Sequence, residues 1–227
     1  MKMSVYFISG IDTDIGKSIA TGMMARYLHR AGRKVITLKL VQTGNQGSSE
    51  DIARHREIME TGLFPEDREL LTAPEIFSFP ASPHLASELD KRPIDLDKIL
   101  KAVHTLEQRY EIVLVEGAGG LAVPLTEDLL TVDFAAQQNW PLILVTSGRL
   151  GSLNHTILSI EAAVRRNMKL AGVVYNESPA ADKIIEADSD RMIRKYLLKY
   201  GQPPVLVRLP AVAAPWPDVD FSALFNA

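Results

Sequence analysis

The chain has 227 residues, of which 46% are hydrophobic and 23% charged, with a formal net charge of −3. That composition is expected of a water-soluble globular protein with a sizeable core, and its balance gives no bulk attraction to nucleic acid or to an anionic membrane. There is no cysteine, which excludes a disulfide framework and a thiolate metal site, and no apolar run of about 18 residues that would span a bilayer.

The opening "MKMSVYFISG" reads as a first strand and not as a signal peptide, because its apolar run is short and breaks at a glycine; a cytoplasmic protein is expected. Runs apolar on both faces follow at 35–38 and, beyond the first strand at 5–9, at 112–115, 142–146, 172–175 and 205–207. Such runs suit strands buried within a parallel sheet. Helical patterns lie between them at 18–31, 50–61, 96–110, 131–138, 152–167 and 182–200. Residues 62–95 are proline-richer and read as a loop-rich insertion with one short helix near 85–89, and the tail from Pro210 reads as surface wrapping. The expected fold is α/β: one domain over residues 1–227, with a mostly parallel sheet covered by helices on both faces.

The stretch "GIDTDIGKS", Gly10 to Ser18, links the first strand to the first helix. It ends like the phosphate loop G-x-x-x-x-G-K-[ST], but its first glycine lies one residue further out than that pattern requires. A strand–turn–helix setting is what such a loop needs, since backbone N–H groups and the helix N-terminus then face the phosphate oxygens. Lys17 is placed to reach the β- and γ-phosphates, and Ser18 to offer a hydroxyl to Mg²⁺.

Five further segments carry chemistry. In "TLKLVQTG", Lys39 ends a strand, where a lysine either faces the ligand crevice of an α/β sheet or extends along the surface to water. In "SSEDIARHR", Asp51 is a first-turn acid favoured by the helix dipole, with Glu50 as a neighbouring acid. In "VLVEGAGGLAVPL", Glu116 closes a buried strand ahead of Gly117 and Gly119, the position where nucleotide enzymes hold a carboxylate beside Mg²⁺. In "TSGRLGSLNHT", Ser152 or Asn154 is placed to cap a helix whose free N–H groups suit a carboxylate. Asn176, in "GVVYNES", is either a turn residue or an amide able to read an adenine edge. The five histidines show no shared metal-ligand spacing, and His29 and His104 read as helix-surface residues.

The loop "GIDTDIGKS" with "TLKLVQTG", "VEGAGG" and "RLGSLNH" resembles the dethiobiotin synthetases, a family of ATP-dependent ligases of the P-loop NTPase fold, over roughly residues 4–176. The resemblance implies a substrate, 7,8-diaminopelargonic acid, joined to CO₂ with Mg·ATP. It implies ATP contacts from Asp12, Thr13, Asp14, Ile15, Gly16, Lys17, Ser18, Glu116, Gly117, Gly119 and Asn176. It implies a catalytic Lys39 with Lys17, Mg²⁺ ligands Ser18, Asp51 and Glu116, and substrate contacts from Thr13, Lys39, Thr43 and Gly119. Arg149, Leu150, Gly151 and Asn154 would complete the substrate site across a homodimer. Leu40 stands where the family has proline, Thr43 where it has serine and Arg149 where it has lysine; losing the proline is expected to relax the backbone after Lys39. No contact with nucleic acid or membrane is implied. Two rivals are a related amidoligase acting on another substrate and a partition-type ATPase switch; the switch usually carries a second lysine near the start of the loop, where this chain has "GIDTD".

Overall fold

The computed structural model describes residues 4–225. In chain order its elements are β1 (Ser4–Gly10), α1 (Lys17–Arg30), β2 (Val35–Lys39), β3 (Gln42–Thr43), α2 (Glu50–Met59), α3 (Pro65–Arg68), β4 (Ile76–Phe77), α4 (Pro83–Leu89) and α5 (Leu96–Arg109). There follow β5 (Ile112–Gly120), α6 (Thr131–Gln137), β6 (Leu142–Ser147), α7 (Ser152–Val164), β7 (Leu170–Asn176), α8 (Lys183–Lys199), β8 (Leu206–Leu209) and α9 (Ser222–Phe225).

Six strands form one parallel sheet in the order β2-β5-β1-β6-β7-β8. Side chains of a strand alternate between faces, and here both faces are buried. Val5 and Phe7 pack with Leu106, Phe134, Ile160 and Leu197 of α5 to α8, whereas Tyr6 and Ile8 pack with Met24 of α1 and Ile58 of α2. The chain leaves β1 toward β2 on one side and later crosses to β6 on the other, so the carboxyl end of β1 is the point where strand order reverses. That is where doubly wound sheets open a ligand crevice. No helix among the described residues is long and apolar enough to cross a membrane.

Three features depart from the sequence expectation. Strand β5 continues past residue 115 to Gly120, pairing alongside β1 as far as Gly10, so Glu116 lies within a strand and not at its tip. The insertion carries a second, two-stranded sheet of β3 and β4, two residues each and too short to leave a periodicity. The tail is not surface wrapping: Phe221 and Leu224 are fully buried, Trp216 nearly so, and Phe221 meets Tyr27 edge-on at 6.0 Å. Helices α1 and α2 cover only part of their face of the sheet, and the tail buries the remainder; a methyl group on Gly172 of β7 would sit 2.6 Å from Leu224.

The insertion is tied to the sheet by a buried ion pair. Arg56 of α2 holds both oxygens of Asp67 at 2.8 and 2.9 Å, and Asp67 also accepts from the Phe64 backbone and from Thr72. Both side chains of the pair are almost wholly excluded from water. Bidentate geometry with the remaining lone pairs satisfied is what makes such a pair tolerable inside a protein.

Candidate active site

The loop from Gly10 to Ser18 is closed by steric necessity at both glycines. A Cβ on Gly10 would approach Ile15 Cγ2 to 2.5 Å, and one on Gly16, whose φ is +95°, would approach Asn176 Nδ2 to 2.4 Å. Gly10 thus does the work of the first loop glycine from one position earlier, with Ile15 tucked beneath it. Asn176 donates to the Ile15 carbonyl at 3.0 Å and braces the loop from β7. Lys17 begins α1 and turns back to the Asp12 carbonyl at 2.9 Å.

Strand register builds the centre. Lys39 of β2 lies directly opposite Glu116 of β5. The Lys39 ammonium donates to Glu116 Oε1 at 2.8 Å and to the Gly117 carbonyl at 3.1 Å, and it pairs with Asp51 Oδ2 at 2.7 Å. Ser18 Oγ stands 2.6 Å from Asp51 Oδ1 and 2.9 Å from Glu116 Oε1. Glu50 is exposed and does not line the cleft, which separates it from Asp51. Leu40 does not loosen the backbone, as losing the proline was expected to do: its N–H, which proline lacks, donates to the Glu116 carbonyl at 2.8 Å.

The charges follow from this packing. Burial acts against the Lys39 ammonium, but Glu116 and Asp51 outweigh it and hold its proton more tightly than in an ordinary lysine. Burial also acts against ionised Glu116, but the Lys39 charge and the hydrogen bonds from His55 and Lys39 keep its carboxyl well below the usual carboxylate range. Lys17 behaves differently. Burial, and then repulsion from Lys39, bring it down to about 8, with Glu116, Asp51 and Asp14 pulling the other way.

A cleft of about 630 Å³ opens over these groups. Of the residues expected to contact nucleotide, metal or substrate, Thr13, Asp14, Gly16, Lys17, Ser18, Lys39, Thr43, Asp51, Glu116 and Gly119 line it. Asp12, Ile15, Gly117 and Asn176 are outside the lining: the Asp12 and Gly117 carbonyls accept from Lys17 and Lys39, and Asn176 donates to the Ile15 carbonyl. Arg149, Leu150, Gly151 and Asn154 are not part of the lining either. Arg149 pairs instead with Asp12 at 2.7 Å on the outer side of the loop, Leu150 is 86% exposed, and the N-cap of α7 is Gly151, so neither Ser152 nor Asn154 caps the helix as expected.

Sequence reasoning missed two groups. Residues 80–83 of the insertion form a wall of the cleft. His55 lies behind Glu116, fully buried, with Nε2 at 2.8 Å from Oε2. One signal existed for it: His55 follows Asp51 by four residues and therefore shares its face of α2.

The oxygen set fits a hard cation. Among the described residues no three His, Asp or Glu side chains cluster to hold a metal; the set is a hydroxyl and two carboxylates. Neighbouring ligands of octahedral Mg²⁺ lie about 2.9 Å apart, close to the separations of Ser18 Oγ from Asp51 and Glu116, and two carboxylates with a hydroxyl are donors Mg²⁺ accepts.

A family model described as an AAA domain matches residues 4–214. The ATP-dependent dethiobiotin synthetase BioD 2 of Pasteurella multocida is 46% identical over 87% of this chain and 92% of its own length. The synthetase of Chlorobaculum tepidum is 46% identical over 88% and 84%, and that of Haemophilus influenzae 47% over 80% and 95%. The chain belongs to the ATP-dependent dethiobiotin synthetase family. It is an enzyme of the ligase class. Among solved structures, pNOB8 ParA bound to nonspecific DNA superposes with a TM-score of 0.59 at 13% identity, covering 99% of this chain and 92% of that one. A ParA family ATPase from Chlorobium tepidum superposes with a TM-score of 0.54 at 15% identity, covering 98% and 88%. These two likenesses concern the P-loop α/β fold alone.

Proposed function

We propose that this member of the family joins CO₂ to 7,8-diaminopelargonic acid with Mg·ATP and closes the ureido ring of dethiobiotin. The observation that carries the reading is the buried Lys39 ammonium, held between Asp51 and Glu116 on the floor of a cleft whose rim is a phosphate loop. A neutral amine of the substrate adds to CO₂ and gives a carbamate. The carbamate oxygen attacks the γ-phosphorus, the bond to ADP breaks, and a carbamic–phosphoric anhydride remains. The second amine attacks the anhydride carbonyl, the ring closes and phosphate leaves. Lys17 and Lys39 offset the charge that spreads over the transferred phosphoryl group, where such enzymes obtain most of their rate. Ser18, Asp51 and Glu116 would hold Mg²⁺, which would supply positive charge against that of the phosphates. Asn176 retains one N–H and one oxygen lone pair for the adenine edge, the others being engaged by Ile15 and Ser178. Incubating the protein with Mg·ATP, bicarbonate and the diamine should yield dethiobiotin and ADP, seen by mass. Steady ATP hydrolysis that is indifferent to the diamine would overturn the assignment.

The low value at Lys17 makes nucleotide affinity depend on pH. The phosphates bind the ammonium form and so raise its pKa. Below about pH 8 the proton is already present in the free protein, and affinity is flat. Above it, binding must take up a proton, so affinity falls by up to about tenfold per pH unit until the pKa of the complex is reached. Titrations of Mg·ATP between neutral and mildly alkaline pH should show this break, and affinity that stays level throughout would mean that Lys17 keeps its proton across this range.

We also propose a two-fold homodimer in which residues 149–154 complete the partner's substrate site. Exposed Leu150 and Leu158 and the distance of this segment from its own cleft lining support that reading. A helix start with free N–H groups suits the acid tail of the diamine. Mixed dimers of a Lys39→Gln chain and a chain altered at Gly151 and Asn154 should regain activity, because one site then carries both defects and the other neither. Mixed dimers that stay inactive would place the segment in its own chain's site.

A further inference from the structure

Glu116 has a second line of support that the reaction above does not use. His55 Nδ1 lies 3.0 Å from Thr37 Oγ1, and Thr37 Oγ1 lies 2.9 Å from Arg56 Nη1. Together with the Arg56–Asp67 pair, these contacts form one buried polar chain: Asp67, Arg56, Thr37, His55, Glu116. Thr37 and Lys39 are two residues apart on β2 and therefore face the same side of the sheet, toward α2.

The protons along this chain follow by elimination. A guanidinium has only donors, so Arg56 donates to Thr37 Oγ1. Thr37 has one hydroxyl proton, and His55 Nδ1 is the partner at hand to accept it. Nδ1 is then bare, and the single proton of a neutral ring lies on Nε2, directed at Glu116 Oε2. A doubly protonated ring would press two N–H donors on Thr37 Oγ1 and strand its hydroxyl proton in a fully buried position, which folded proteins avoid.

We propose that His55 is a positioning residue for Glu116. Its neutral Nε2–H tautomer is set by Thr37 and, behind it, by the Arg56–Asp67 pair. By occupying Oε2 it keeps Oε1 turned toward Ser18 and Lys39, the side that faces the cleft. Its effect on the cation rests on the reading of Glu116 as a Mg²⁺ ligand; the tautomer does not. Residues that orient a ligating carboxylate change metal affinity or activity by about 10- to 100-fold when removed.

Two measurements test this. Long-range proton–nitrogen correlation spectra of the nucleotide-free protein, labelled with ¹⁵N-histidine, report the tautomer, with the His55 signal assigned by its loss in His55→Gln. The expected pattern is neutral and protonated on Nε2; a ring protonated on Nδ1, alone or as well, overturns the proposal. The second measurement compares His55→Phe, which keeps a ring and loses the donor, with His55→Gln, which loses the ring and keeps an N–H. The Mg²⁺ concentration needed for half-maximal tightening of ATP binding should rise about 10- to 100-fold in the Phe variant and stay within a few-fold of native in the Gln variant. The reverse order would mean that the ring only fills space. Thermal unfolding identifies a variant that has lost its fold, and if both have, the spectrum of the native protein still decides. A protein that showed no Mg²⁺-dependent ATP binding at all would sink the proposed function and leave the tautomer test intact.

Discussion

Lys39→Gln is expected to slow single-turnover product formation at saturating Mg·ATP by about 10²-fold while leaving ATP affinity within a few-fold of native. Lys39 is 5% exposed, and its ammonium bridges two carboxylates, Asp51 and Glu116. A neutral amide cannot offset the charge that develops on the transferred phosphoryl group, and loss of one such group in a water-poor site costs on the order of 3 kcal/mol in the transition state. The substitution also has a ground-state consequence. Ser18 has a single hydroxyl proton to share between Asp51 and Glu116, so without the ammonium the two acids repel each other across it. A lower thermal midpoint, partly restored by Mg²⁺, should accompany the loss of rate. The decisive comparison sets nucleotide titration beside single-turnover kinetics. Should ATP affinity collapse while the rate at saturation holds, Lys39 would be a binding residue only.

Lys17→Ala should abolish turnover and weaken ATP binding together, by about 10- to 100-fold in affinity, the worth of a hydrogen bond to a charged group. Lys17 starts α1 immediately after Gly16, and its ammonium, 2.9 Å from the Asp12 carbonyl, stands at the mouth of the loop. The site is built so that this cation is held by a backbone carbonyl and not by an acid, which leaves it free to exchange one oxygen partner for another when a phosphate arrives. Burial has already brought it down to about 8, so it enters the complex with much of its hydration removed. The contrast with Lys39 is the informative part: Lys17 should affect both binding and chemistry, and Lys39 chiefly chemistry. Near-native dethiobiotin formation by the Lys17→Ala protein would end the nucleotide-site assignment.

The elements that the sequence determined by itself are those whose signal is local. Alternation of doubly apolar runs with helical patterns is enough to require a parallel sheet covered on both faces, and all six expected strands and six expected helices have counterparts in the structure. The phosphate loop was legible because its parts are contiguous: strand, Gly10, Gly16, Lys17 and helix lie within one short stretch. Lys39 and Glu116 were legible singly, each as a charged residue at the end of an apolar run, and Asp51 as an acid in the first turn of a helix. Their arrangement was not. Lys39 and Glu116 are 77 residues apart and meet through the pairing of β2 with β5, a register that no local pattern encodes. The extension of β5 to Gly120 was hidden because glycines read as a loop when the neighbouring strand that pairs with them is out of view. The tail was misread for the complementary reason: its few apolar residues, Trp216, Phe221 and Leu224, look sparse along the chain, and only the uncovered part of the sheet face gives them something to bury against. His55 was passed over because the sequence offered no metal spacing for it, and its partners Thr37 and Glu116 lie 18 and 61 residues away. Composition and periodicity settle which surfaces must be buried; tertiary packing alone decides which polar groups are buried together, because the cost of an unpaired buried charge is met only by whichever partner the folded chain brings within hydrogen-bond reach.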